Sequence, residues 1–183
     1  MTPVAAWNCM RIAPSGWRGM TDILVPIALL FHPAAHALDL GRAATAILEG
    51  TNHFRVEEKV AEVLPNAALG ATAREFAQFL AATDRFGHDA DGREPAERVR
   101  RHGYDYCMVA ENIAYQFRSQ GFASPDDLAH LFVDGWKRSP GHRTNMRDRE
   151  ATEIGVAVAQ SAQTKRYYAV QVFGRPRKAS GRC

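Results

Sequence analysis

Cysteine is scarce in this chain, and long hydrophobic runs are missing. Three cysteines in 183 residues, none of them in a CxxC pair, exclude a structural zinc knuckle, which needs clustered thiolates. The main apolar stretch, from Ile23 to Phe31, is far shorter than the ~20 residues that a membrane-spanning helix requires. Internal repeats are absent as well. Neither sign of charge is in excess: the net charge is +3 and the isoelectric point about 8.9. Arg98, Arg100 and Arg101 make the densest basic cluster, but Glu94 and Glu97 dilute it. That pattern reads as a solvated helix face and speaks against nucleic-acid binding. Nucleophile motifs are equally thin. Ser139 stands before a proline with no strand–elbow–helix context, and nothing marks Cys107 as a low-pKa thiol.

What is present is ordinary globular material, with 46% hydrophobic and 23% charged residues and enough length for one domain. Residues 1–37 differ from the rest. Arg11 and Arg18 precede the Ile23–Phe31 run, and Ala35-His36-Ala37 supplies a small-x-small site. This is the layout of a secretory signal peptide cleaved before Leu38, with Asp22 beside the apolar core and Pro26 within it as departures. The expectation is a secreted or periplasmic protein, a monomer or weak dimer, with its domain at 38–174 and a flexible tail at 175–183. Removing the leader removes Cys9. Cys107 and Cys183 then either pair or leave Cys107 as a free buried thiol, and the sequence leaves both open.

Helical periodicity is expected over 41–57 and 67–85, with a shorter helix around 95–101 that starts on Pro95. Asp84 to Gly92 reads as a loop carrying His88. The Tyr104–Phe117 stretch is ambiguous, with a short strand at Asn112–Tyr115. Ser124-Pro125-Asp126-Asp127 is a helix start, and that helix is expected to stop before Pro140. Ile154, Val156 and Val158 alternate in one strand and Tyr167–Phe173 forms its hairpin partner. Helices first and paired strands late indicate an α+β fold.

The chemistry-bearing residues fall in three short stretches: Phe86-Gly87-His88-Asp89, Ala110-Glu111-Asn112-Ile113-Ala114 and Ser139-Pro140-Gly141-His142-Arg143-Thr144-Asn145. Two imidazoles and a carboxylate are the right types for a shallow metal or acid–base cleft. Together with Asn52-His53-Phe54-Arg55, Gly103-Tyr104, Trp136, Glu153-Ile154-Gly155-Val156 and Val170-Gln171-Val172-Phe173-Gly174, they occur in the order that resembles the CAP superfamily (cysteine-rich secretory proteins, antigen 5 and pathogenesis-related 1), in particular its bacterial secreted branch. The resemblance runs from about Ile47 to Phe173.

That resemblance implies an α-β-α sandwich with a small central antiparallel sheet, and a cleft lined by two histidines and two acids. His88, Glu111 and His142 match three of the four. The second acid, expected shortly after Trp136, is replaced by Lys137, Arg138 and Ser139. Glu153 is the nearest substitute. Three functions are implied: a binding module for a lipid, glycan or peptide with optional zinc on His88 and His142, and with Glu111 as a further candidate ligand; a metal-dependent hydrolase using His88, Glu111 and His142; or a structural envelope or adhesion protein. Trp136, Tyr115, Phe117 and Phe86 are candidates for apolar surface near the cleft, although most such residues are core.

Overall fold

The computed structural model describes residues 37–178 and 180–183. The expected leader therefore lies outside the described residues, except for Ala37. Helix α1 (Leu40–Glu57) starts where the Asp39 side chain accepts the backbone N–H of Arg42, and α2 (Ala67–Thr83) starts on Asn66, which accepts from Ala68 and Leu69. A two-residue strand, β1 (Leu64–Pro65), lies between them. Helix α3 (Pro95–Arg101) leads into β2 (Tyr106–Gln116). Helix α4 (Pro125–Arg138) is capped by Ser124, whose hydroxyl accepts the N–H of Asp127. Helix α5 (Pro140–Met146) and the hairpin β3 (Glu153–Gln160) and β4 (Tyr167–Pro176) complete the domain.

The sheet order is β1-β3-β4-β2, with β3, β4 and β2 antiparallel and β1 parallel to β3. The expected antiparallel sheet thus carries one short parallel edge. Central β4 is buried on both faces, and its alternation divides the core in two. Ala169 and Phe173 pack with Ile47, Phe54, Phe132 and Trp136 of the α1/α4 layer. Tyr168, Val170 and Val172 pack with Leu69, Phe76 and Leu80 of α2 and with Val99 of α3. Each fully buried large side chain contributes about 1.5–3 kcal/mol by leaving water. Gly155 lets α2 sit directly on β3, since a Cβ there would lie 2.0 Å from the carbonyl carbon of Leu69.

Two expectations need correction and one is extended. The expected short strand at Asn112–Tyr115 is the middle of an 11-residue strand, because pairing with β4 extends past the locally apolar residues. Helix α4 stops before Pro140 as expected, and Pro140 in turn opens α5, with Ser139 standing between the two helices, since proline's fixed φ suits a first helical turn. The end of the expected tail is anchored: Cys183 is disulfide-bonded to Cys107 with Cα atoms 5.4 Å apart, and Arg175 donates from Nη1 to the Cys183 carbonyl at 2.6 Å. Strand β4 itself continues through Arg175 and Pro176.

Candidate functional site

Strand β2 is an edge strand, and the candidate residues gather around it. The loop after α2 begins at Asp84, which adopts a left-handed conformation at φ 52°. Its carboxylate accepts hydrogen bonds from the Thr164, Ser161 and Tyr168 hydroxyls, and these bonds, Thr164's first, hold its pKa below the ordinary carboxylate value. The loop is thereby fixed to the β3–β4 turn. Turn bonds from Ala90 N–H to the Gly87 carbonyl and from Gly92 N–H to the Asp89 carbonyl then present His88 at the surface.

Glu111 sits mid-strand in β2, with its side chain 1% exposed. One oxygen, Oε1, lies 2.8 Å from His88 Nδ1. Arg98 Nη2 donates to both carboxylate oxygens at 3.0 and 2.9 Å. The same guanidinium donates to the His88 carbonyl, to Asp91 Oδ1 and to the Arg93 carbonyl, and its plane lies 3.6 Å from the centre of the Phe76 ring. A buried carboxylate is tolerable only when its charge is matched and its lone pairs are occupied, and Arg98 does both. The reading of Arg98 as part of a solvated helix face is therefore overturned. It is 2% exposed and organises the cluster. One signal was available in the sequence: Arg98 precedes Val99 on the stripe of α3 that faces inward.

The other side of β2 carries a neutral network. Asn112 Nδ2 donates to the His142 carbonyl and to Gln171 Oε1, both at 3.1 Å. Asn145 Nδ2 donates to Asn112 Oδ1 at 2.9 Å and to the Glu111 carbonyl at 3.2 Å. Gln171 Nε2 continues to Thr51 Oγ1 at 2.6 Å, and Thr51 donates to the Ile47 carbonyl. This chain of amides ties α5, β2, β4 and α1 together, and it places His142 in the first turn of α5 beside the cleft. Asn112, Gln171 and Thr51 are fully buried. Their partners became visible only once the strands were paired.

The two imidazoles differ. The hydrogen bond to Glu111 raises the pKa of His88 above its ordinary value, against the opposing effect of burial. Burial lowers that of His142, and the charge of His88 lowers it further. Glu153 is not part of the cluster. It lies on β3, separated from β2 by β4, and its carboxylate accepts from Tyr104 Oη at 2.5 Å and from Asn66 Nδ2 at 3.2 Å. Burial, with the hydrogen bond to Glu153 second, holds the Tyr104 phenol far above its ordinary range. Cys107 is unavailable as a nucleophile because it is in the disulfide.

The donors were tested against a His–His–Glu metal set. With Nδ1 donating to Glu111, His88 keeps Nε2 as a free lone pair, the arrangement in which a carboxylate supports a ligating histidine from behind. Glu111 is buried and engaged by Arg98 on both oxygens, so ligating a metal would break that ion pair, and it does not fit as a third ligand. Among the described residues no group of three or more His, Cys, Asp or Glu side chains is arranged to hold a metal ion.

Along β2 beyond Glu111 the surface turns aromatic. Phe86, Tyr115 and Phe117 are 50%, 43% and 53% exposed, and the Phe86 and Tyr115 rings meet edge to face at 5.3 Å. Trp136, by contrast, is buried in the core and stacks on Phe132 at 5.7 Å, so it lines no surface.

The family model for CAP, the cysteine-rich secretory protein family, matches residues 48–173. The chain belongs to this family. Among curated relatives, the CAP protein is 27% identical over 116 residues to the uncharacterized protein YkwD of Bacillus subtilis (strain 168), a match spanning 63% of this chain and 42% of that one. The chain thus spans less than half the length of that relative. Among solved structures it resembles an outer surface protein of Borrelia burgdorferi (TM-score 0.66, 17% identity, 77% of this chain and 98% of that one). It also resembles an extracellular protein of Bacillus anthracis containing an SCP domain (TM-score 0.60, 23% identity, 74% of this chain and 41% of that one). A third likeness is to NaASP2, crystallised with Zn2+ (TM-score 0.54, 17% identity, 76% of this chain and 82% of that one). These likenesses establish the α+β fold.

Proposed function

We propose that this CAP protein is an exported binding module whose ligand, a lipid, glycan or peptide, lies along the edge of β2 from the His88–His142 cleft to Phe86, Tyr115 and Phe117. The observation that carries this reading is that the buried Glu111 is already engaged by Arg98 on both oxygens and by His88 on one. A hydrolase built on the same three residues would need a carboxylate free to take a proton or hold a metal, and that carboxylate is committed to the fold. Exposed aromatic rings next to the cleft are instead what a binding surface uses. Export is supported by the leader-like pattern of residues 1–37, the Cys107–Cys183 disulfide and the extracellular or outer-surface descriptions of two structural relatives. Zinc is optional in this reading. His88 Nε2 and the His142 ring are the donors that would hold it, with Glu111 supporting His88.

The test is calorimetric titration of the protein with zinc and then with fatty-acid, glycan and peptide panels. Two variants serve as comparisons, Phe86→Ser/Tyr115→Ser and His88→Ala/His142→Ala. Ligand binding lost in the aromatic variant, at unchanged melting temperature, supports the binding reading. Hydrolysis of any panel member that disappears in His142→Ala overturns it.

A further inference from the structure

Helix α5 has two working faces. Asn145 reaches Asn112 and the Glu111 carbonyl on β2, whereas Pro140, Arg143, Thr144 and Arg147 fall at i, i+3, i+4 and i+7 on another side. That second face forms a concave site with Lys137 and Arg138 at the end of α4. Four cations therefore line one hollow at the α4–α5 junction. Two carboxylates answer them: Glu57 pairs with Lys137 at 3.4 Å, and Glu58 pairs with Arg143 at 2.5 Å and with Arg147 at 3.8 Å. Arg138 is exposed, and among the described residues it has no carboxylate within ion-pair distance. The hollow keeps an excess of about two positive charges, near neutral pH, on the ordinary pKa values of these groups.

The cations are also held in place. The buried Phe54 ring carries Lys137 Nζ at 5.2 Å and Arg143 Cζ at 5.4 Å from its centre, within cation–π range. Glu58 fixes the Arg143 guanidinium from one side, leaving its remaining N–H groups for another acceptor. Just across Lys137 the sign reverses, since the groove between α1 and α4 is lined by Glu49, Glu57, Asp126 and Asp134. The hollow thus holds a positive excess of its own beside an acidic groove, on a chain whose net charge is only +3.

We infer that the hollow formed by Lys137, Arg138, Arg143 and Arg147 binds a phosphate group, either free or as a lipid headgroup. A compact phosphate with several acceptor oxygens matches a cluster of guanidinium forks and one ammonium, and its negative charge offsets the excess charge of the hollow. The site is separate from the His88–His142 cleft and does not depend on the reading of that cleft.

The experiment titrates the protein with inorganic pyrophosphate by calorimetry at low salt, and with vesicles of phosphatidylglycerol or of phosphatidylcholine by sedimentation. Three variants accompany it: Arg138→Ala, Arg138→Glu/Arg147→Glu and His88→Ala/His142→Ala. Arg138 is exposed, so its alanine variant leaves the fold intact; circular dichroism and melting temperature check all three. Binding should weaken about tenfold in Arg138→Ala through loss of a charge-assisted hydrogen bond. It should vanish in the double charge reversal, stay unchanged in the histidine variant, and fall as salt is raised. Pyrophosphate binding identifies the free-phosphate source. Binding to phosphatidylglycerol vesicles alone, with the same variant pattern, identifies the headgroup. Binding of neither probe overturns the site, as does binding that survives charge reversal or is lost in the histidine variant. An oligonucleotide that binds where pyrophosphate and vesicles do not overturns it as well.

Discussion

The two faces of strand β2 solve the burial of polar groups in opposite ways. Glu111 points toward the α2/α3 layer and is surrounded by charge: Arg98 on both oxygens and His88 on one. Its neighbour Asn112 points toward the α1/α5 layer and is held by neutral amides and carbonyls alone. A buried charge is expensive unless fully matched, whereas a buried amide needs only its hydrogen bonds. The charged face can therefore tune an imidazole, and it does so at His88. The neutral face tunes nothing but fixes where α5, and with it His142, sits. One strand thus supplies both the electrostatics and the positioning of the cleft.

The contrast is sharpest when one partner is removed. Replacing Glu111 with alanine leaves the buried Arg98 with Asp91 as its one remaining carboxylate partner, and should lower unfolding stability by about 3 kcal/mol, the lower end for a broken buried ion pair, read from denaturant midpoints. The double variant Glu111→Gln/Arg98→Met should recover part of that loss, because no lone charge remains. A loss below about 1 kcal/mol in Glu111→Ala, the level of an exposed ion pair, would mean that the two faces do not differ in kind.

Asn112→Ala comes next. It strands the Asn145 and Gln171 side-chain amides and should cost about 1–3 kcal/mol. Its distinguishing outcome is that the titration of His88, followed by NMR, stays where it was. Movement of the His88 titration in Asn112→Ala would couple the two networks.

The smallest effect concerns pH. The His88 titration should lie above the ordinary value of 6.5 and that of His142 below it. A raised folded pKa means that the stabilisation from His88 is complete below about pH 6.5 and is lost as pH rises through its folded pKa. A depressed folded pKa means that His142 costs stability as pH falls from about 6.5 through its own folded pKa. Both rings are partly solvated, so the slopes should be shallow. Glu111→Gln should bring the His88 titration down, and an unmoved His88 in that variant would remove Glu111 as the cause.

The sequence by itself determined the element types and the family. Caps such as Ser124-Pro125, the 3.6-residue spacing of Leu69, Ala73, Phe76 and Leu80, and the alternation of Ile154, Val156 and Val158 are local signals, and short-range geometry produces them. His88, Glu111 and His142 were legible through their flanking motifs. The tertiary structure alone decided the rest. Arg98 looked like a surface cation until the fold closed α3 over β2. Glu153 looked like a spare acid until Tyr104 and Asn66 both bonded its Oε2. Trp136 looked like possible cleft lining until α4 turned it inward. The Cys107–Cys183 pairing depended on where the end of the chain came to lie. The outcomes for Arg98, Glu153 and the disulfide turn on contacts between residues 13 to 87 positions apart in the chain. Such contacts leave no periodicity in the sequence, because what fixes them is the matching of charge and hydrogen bonds once water is excluded.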